Sequence, residues 1–151
     1  LGMFGVPTEH DEELFDRYKF FSKLAPVYRG LNIDAQAVKD GMIATIEPWH
    51  DALSLSDRWV HPGTLGLLFD LTGDTVFTRF DYLQFMPRVA QSTLQFVQPV
   101  YFASRIVAVA EMMGGSKADR NVHLLVKLFT PEQGLVAYGT QRLKMLDRPR
   151  K

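Results

Sequence analysis

Segment 65–80 constrains the fold more than any other part of the chain, because it is apolar around most of its circumference. It follows the turn His61-Pro62-Gly63-Thr64, and its residue spacing predicts a long helix. A helix that is apolar on most sides has to be buried, because water would otherwise contact its hydrocarbon surface. The rest of the chain must therefore supply a layer that covers this helix.

Strand patterns occur on both sides of the helical segment. Residues 32–48 alternate between apolar and polar, and Asp40-Gly41 between the two runs predicts a hairpin. An amphipathic helix at about 8–26 precedes this hairpin. Four further consecutive strands are predicted after the buried helix, at 91–100, 104–113, 122–129 and 135–146. This order predicts an α+β domain in which one long helix packs on an antiparallel sheet.

The composition narrows the class of protein. A chain of 151 residues that is 46% hydrophobic can build one full core, so we expect a single domain over 1–151, with its core at about 32–146. Seventeen basic residues balance seventeen acidic ones, which argues against a nucleic-acid or membrane-surface partner. Without cysteine, a secretory signal or a long apolar run, the chain is expected to be cytoplasmic.

Several catalytic and metal-binding classes lack their motifs. No Gly-x-Ser-x-Gly elbow is present, and there is no phosphate-binding loop or dinucleotide fingerprint. The four histidines have no paired ligand spacing, and a thiol nucleophile is excluded because there is no cysteine. We therefore expect no metal site.

Three stretches of the chain carry a resemblance to a known family. The turn His61-Pro62-Gly63 is followed by Asp70, nine positions after the histidine. Segments 94–100 and 134–140 then follow in the same order as a strand with its proline and a last hairpin of that family. From residue 61 to 146 the chain resembles the hotdog superfamily, and within it the thioesterases of the phenylacetic-acid-degradation type.

The resemblance implies a fold and an activity. It implies a hotdog fold, in which a curved antiparallel sheet wraps a long central helix, here with an extra N-terminal helix. It also implies an acyl-CoA thioesterase that uses no cofactor, coenzyme A being part of the substrate, or of an acyl-carrier thioester in its place. Family members act as homodimers or dimers of dimers, in which the helix start of one subunit faces a carboxylate of the other.

Thioester hydrolysis requires a polarised carbonyl and an activated water or a carboxylate nucleophile. The backbone N–H of Gly63 at the helix start is the candidate oxyanion donor, and His61 is a candidate for orienting the turn or bonding the carbonyl. Asp70 is the candidate base or nucleophile, since its apolar neighbours should raise its pKa. It lies seven residues after Gly63, roughly 10 Å along the helix. The two halves of one site therefore require two subunits, as the resemblance also implies.

Other polar residues are weaker candidates. Asp74, one turn after Asp70, is a second polar wall of the site, the true base or a solvated side chain. Lys117 and Arg120, in the turn before the penultimate strand, are candidates for binding the CoA phosphates, although basic turns also serve solubility alone. Acyl chain length and the choice between CoA and a carrier protein are left open by these patterns.

The chain departs from the family pattern at two positions. Pro62 replaces the middle glycine of the turn, which a first helical position tolerates, and Leu55 occupies the place of a frequent asparagine. A hydratase of the same superfamily is not favoured, because Arg79 stands where that motif requires a histidine. The alternative function is a non-catalytic hotdog module that binds acyl-CoA or another apolar ligand, since fold alone does not fix function.

Overall fold

The computed structural model describes residues 33–38, 41–46, 59–75, 85–101, 105–116 and 120–147. The N-terminal helix predicted at about 8–26 lies outside these residues and stays a prediction, as does any role of Lys117. Within the described part of the chain, no helix has both the length and the apolar character needed to cross a membrane.

The described residues form one helix and six strands. In chain order they are β1 Ile33–Val38, β2 Gly41–Ile46, α1 Pro62–Thr75, β3 Phe85–Phe96, β4 Ile106–Ser116, β5 Asn121–Thr130 and β6 Gly134–Asp147. All strand pairs are antiparallel, and the strand order across the sheet is β1-β2-β4-β5-β6-β3. The hairpin predicted around Asp40-Gly41 is present, since Val38 pairs with Gly41. The α+β prediction is therefore confirmed.

The strand after the helix differs from its prediction in extent. β3 covers Phe85–Phe96 instead of 91–100, and it pairs with β6. Pro87 lies within it, which an edge strand tolerates because one side of its backbone needs no partner. The strand ends at Phe96 because the next two backbone N–H groups both donate to the carbonyl of Val136 instead of continuing the ladder.

The helix α1 packs on one face of the sheet, which we call the inner face. Leu65, Leu68, Phe69 and Leu71 of α1 share one buried cluster with alternate residues of β4, β5 and β6. In β5, for example, the even-numbered residues from 122 to 130 are buried and the odd-numbered ones are not. Full burial of one such aliphatic or aromatic side chain stabilises the fold by about 1.5–3 kcal/mol. The burial predicted for segment 65–80 is confirmed as far as Gly73, except at Asp70, whose side chain is exposed.

A glycine sets how closely the helix approaches the sheet. A Cβ atom on Gly139 of β6 would lie 1.9 Å from the carbonyl oxygen of Thr93 and 2.9 Å from Cε2 of Phe69. Only a residue without a side chain fits between the edge strand and the Phe69 ring. This contact sets the distance between α1 and β6 at Phe69, and the next residue, Asp70, reaches Gln141 of β6.

Candidate active site

The helix start is capped by its own histidine. His61 immediately precedes α1, and its ring atom Nδ1 accepts a hydrogen bond of 2.8 Å from the backbone N–H of Gly63. Its carbonyl accepts a second bond, of 2.9 Å, from the N–H of Thr64. Pro62 occupies the first helical position, where no N–H is required. The proline that departs from the family pattern is therefore compatible with a regular helix start.

This cap assigns a role to each nitrogen of the His61 ring. Since Nδ1 accepts a bond, the proton of the neutral ring resides on Nε2. His61 is exposed, so its Nε2–H can serve as a donor to a bound group. The Gly63 N–H, predicted to bind an oxyanion, is engaged by the imidazole in this structure. The structure thus brings His61 and Gly63 together, with one hydrogen bond between them.

Asp70 lies two turns further along α1, beside β6. Its Oδ1 accepts a hydrogen bond of 2.9 Å from Nε2 of Gln141. Burial raises the pKa of the Asp70 carboxyl above the usual range of an aspartate, and the bond from Gln141 offsets part of that rise. The side chain nevertheless reaches the surface. Asp70 is thus a carboxyl that is both partly desolvated and accessible, as a general base requires.

Gln141 is the residue of this site that the sequence patterns missed. It lies on the inner face of β6 between Gly139 and Leu143, and only 2% of its surface is exposed. A polar residue at an inward position of an alternating strand is a detectable signal, because such positions are otherwise apolar. Its partner could not be identified from that signal, since Asp70 and Gln141 are 71 residues apart in the chain.

An apolar cavity lies beside the helix start. Its volume is about 630 Å³, and it is lined by Trp59, Val60, Pro62, Leu65, Phe96, Val97, Gln98, Pro99 and Val100. Among the described lining residues, Gln98 carries an amide, which donates to the backbone carbonyls of Gln133 and Leu135. Phe96 is 54% exposed, although it lines the cavity. Asp70 does not line this cavity, so one protomer does not combine the cavity with the carboxyl.

The remaining predicted residues lie apart from the helix start. Asp74 belongs to the last turn of α1. Arg120 lies at the start of β5 and forms an ion pair of 3.0 Å with Asp147, whereas the cavity adjoins the other end of the β5–β6 hairpin. Ten strand residues span roughly 30 Å. Among the described residues, no group of three His, Asp or Glu side chains is arranged to hold a metal ion.

Comparison with known proteins places this geometry in a structural class. No protein-family model and no curated protein sequence matches the chain. Among solved structures, a thioesterase family protein from Silicibacter pomeroyi is similar, with 14% identity over 89% of this chain and 99% of that one and a TM-score of 0.77. The chain has the hotdog fold.

Two further hotdog structures agree with this assignment. A thioesterase from Pseudomonas aeruginosa has 12% identity, with 89% of this chain and 94% of that one covered and a TM-score of 0.76. The PaaI protein of E. coli, from the phenylacetic acid degradation operon, has 14% identity over the same shares and a TM-score of 0.75. Identities this low establish the hotdog fold alone, so an activity has to be argued from the site.

Proposed function

We propose that this protein is an acyl-CoA thioesterase, which hydrolyses an acyl thioester to the free acid and CoA. The observation that carries the proposal is the Asp70 carboxyl: it is accessible, its pKa is raised by burial, and a buried amide holds it. A raised pKa makes the carboxylate a stronger base, and its accessibility lets it reach the proton of a water molecule. The hotdog fold, which the chain shares with thioesterases, supports the same reaction class.

In the proposed reaction, Asp70 activates the nucleophile. Its Oδ1 is held by Gln141, and its Oδ2 takes a proton from a water molecule as the water oxygen attacks the thioester carbonyl. The tetrahedral intermediate then expels the thiolate of CoA, which takes the proton back from Asp70 and leaves as the thiol, so that Asp70 is again ionised. The alternative is direct attack by the carboxylate, which gives an anhydride that water hydrolyses. Both routes use the same oxygen of Asp70.

Negative charge on the carbonyl oxygen is stabilised at the helix start. The Gly63 N–H and the positive end of the α1 dipole favour an anion there, and the Nε2–H of His61 adds a second donor. As negative charge develops, the carbonyl oxygen replaces Nδ1 of the imidazole as the acceptor of the hydrogen bond from the Gly63 N–H. We retain Asp74 as a second polar group near Asp70, one turn along the same helix.

The two halves of the site require two chains. Asp70 lies seven positions after Gly63, roughly 10 Å along the helix, whereas a nucleophile and an oxyanion donor contact one carbonyl group. We therefore propose a homodimer in which antiparallel α1 helices place the helix start of one protomer against Asp70 of its partner. Such a dimer can also assemble further into a dimer of dimers.

The apolar cavity is the proposed site for the acyl group. It adjoins Pro62 and Leu65 at the helix start, so an acyl chain in it would place the carbonyl near Gly63. Lys117 and Arg120 are proposed to contact the CoA phosphates. Arg120 lies far from the cavity of the same protomer, so in the dimer the phosphate contacts and the cavity come from different parts of the assembly. We propose a cytoplasmic enzyme with no cofactor, no metal and no nucleic-acid or membrane partner.

The test is a panel of CoA thioesters of graded acyl length. We expect turnover of at least one, and Asp70→Asn should lower kcat by at least about a hundredfold, the usual contribution of a general base. Asp74→Asn tests the second carboxyl in the same helix. Glu111→Gln, on the outer face of β4, is the matched control and should leave kcat unchanged.

A non-catalytic binding module is the second candidate, and the cavity favours it, because an apolar pocket of this volume binds ligands without any need for Asp70. In that case the protein binds an acyl-CoA but turns over none of the panel. An active Asp70→Asn variant would instead contradict the role of Asp70 while leaving the enzyme class intact.

A further inference from the structure

Gln141 is a buried polar side chain on a mostly apolar sheet face. Its inward neighbours on β6 are Gly139 and Leu143, and the residues that pair with it are Leu124 on β5 and Ser92 on β3. Burying an amide among such residues costs free energy unless its polar atoms find partners. Its Nε2 finds one, the carboxylate of Asp70, whereas its Oε1 has no partner in the described structure although it is fully buried. Stability alone therefore does not account for a glutamine here.

The helix leaves room for this amide at one glycine. A Cβ atom on Gly73 would lie 1.8 Å from Oε1 of Gln141 and 2.8 Å from its Cδ. The amide therefore occupies the volume that any other residue at position 73 would fill with its side chain. Gly73 thus leaves a space under α1, one helical turn from Asp70, and the Gln141 amide fills it.

Most charged groups on the surrounding strands are on the other face of the sheet. Strand alternation places seven titratable side chains of β3 to β6 on the outer face, away from Asp70; they are Arg88, Glu111, His123, Lys127, Tyr138, Arg142 and Lys144. Asp147, at the end of β6, is paired with Arg120. On α1 itself the titratable residues are Asp70 and Asp74, with His61 preceding the helix. Among the described strand residues, the Gln141 N–H is the polar contact that the structure shows to the Asp70 carboxylate.

We propose that Gln141 is a positioning residue, which holds Oδ1 of Asp70 by a hydrogen bond and leaves Oδ2 directed to the reacting water. The inference rests on the proposed thioesterase function for its catalytic meaning. The bond restricts rotation of the carboxyl and favours its ionised form, because an amide N–H stabilises a carboxylate more than a carboxylic acid. Gln141 itself does not contact the substrate.

The decisive variant is Gln141→Met, which keeps the side-chain length and removes the donor. Asp70 should then titrate at higher pH in a carbon-13 NMR titration of its carboxyl. The acidic limb of the kcat/KM profile should move in the same direction, with kcat about tenfold lower, the effect of one hydrogen bond to a charged group. The folded state should be retained, because the substitution also removes the unpartnered Oε1.

A second variant moves the amide without deleting it. The Cβ of Gly73→Ala requires the space of Oε1, so the Gln141 amide must shift, and Asp70 should again titrate at higher pH. Gly114→Ala in β4 is the matched control, since a Cβ there meets nothing within 4 Å. In an Asp70→Asn background, Gln141→Met should lower kcat no further, because its effect passes through Asp70.

The outcomes separate the inference from the proposed function. An unchanged Asp70 titration in Gln141→Met overturns the positioning role, whether or not the protein hydrolyses a thioester. A protein that turns over no thioester, but whose Asp70 titration moves as expected, retains the positioning role and overturns the enzyme assignment. Equal loss of kcat in the wild-type and Asp70→Asn backgrounds also overturns the inference, because Gln141 would then act independently of Asp70.

Discussion

At the scale of single residues, Asp70 connects activity with stability. Its raised pKa means that the folded protein binds the Asp70 proton more tightly than the unfolded chain does. Stability therefore falls as pH rises through the interval between the usual aspartate pKa and the raised one, and above that interval the ionised carboxylate costs stability. The proposed active site needs the ionised carboxylate, so this loss of stability accompanies the activity.

The first prediction is that Asp70→Asn is more heat-stable than the wild type at pH 7. The asparagine removes the charge and keeps an oxygen that can accept the Gln141 bond. The difference in Tm should shrink as pH falls below the usual aspartate pKa, where both chains are neutral at this position. Calorimetric scans across pH measure it; a variant less stable than the wild type at pH 7 would contradict the desolvation of Asp70.

The second prediction separates the two roles of His61. Asn supplies an acceptor oxygen for the Gly63 N–H, so His61→Asn should keep the cap, whereas His61→Ala should lose about 0.5–2 kcal/mol of unfolding free energy. Both variants lack Nε2–H and should lower kcat. Urea unfolding and turnover measured side by side test this. If His61→Asn kept full kcat, the histidine would be a cap alone.

The local part of the site could be predicted from the sequence, and the long-range part could not. His61, Gly63 and Asp70 fall in one short segment, so their spacing along a helix is enough to relate them. The bond between Asp70 and Gln141 depends on strand register and on the depth at which α1 packs. The engagement of Gly63 by the His61 ring also depends on a side-chain rotamer, which no spacing specifies.

At the scale of elements, strand periodicity identified the strands but not their neighbours. The pattern of β3 is weak because most of its described side chains are exposed, including Val89 at 43%. Its pairing with β6 involves a register shift between Val89 and Gln91, which also breaks the alternation. Long-range strand order arises from packing across the whole sheet, and local sequence does not encode it.

The third prediction concerns the close contact of α1 with the β3–β6 pair. Gly139→Ala places a Cβ against the Thr93 carbonyl and the Phe69 ring, and the backbone cannot move aside as a side chain can. We expect a loss of about 1–3 kcal/mol in unfolding free energy, the usual cost of overpacking. Gly114→Ala in β4 meets nothing within 4 Å and serves as the control. Equal stability of the two variants in urea would contradict this packing.

At the scale of the whole molecule, the cavity and Asp70 lie apart in one protomer, and in the proposed mechanism two chains share each site. The fourth prediction uses two impaired variants, Asp70→Asn and His61→Ala. A mixed dimer of them contains one site with both residues intact and one with neither. When equal amounts are unfolded and refolded together, half the dimers are mixed, so activity should recover to about a quarter of the wild-type level.

The controls are each variant refolded alone and the mass of the wild-type protein in solution. Each variant refolded alone should stay impaired, and light scattering of the wild type should give at least twice the mass of the 17.2 kDa chain. A site contained within one protomer would give no recovery on mixing, because each chain carries one defect. A stable monomer with full activity would exclude the shared site directly.

The His61 cap has a consequence for discrimination between substrate and transition state. A neutral thioester oxygen is a weak acceptor and competes poorly with the imidazole Nδ1 for the Gly63 N–H. An oxyanion is a far stronger acceptor and displaces the ring. In the proposed reaction, the Gly63 N–H therefore stays bonded to the imidazole while the substrate is bound. It becomes available to the carbonyl oxygen as the transition state forms. The donor then contributes to turnover rather than to affinity, which is the use of binding energy that accelerates a reaction.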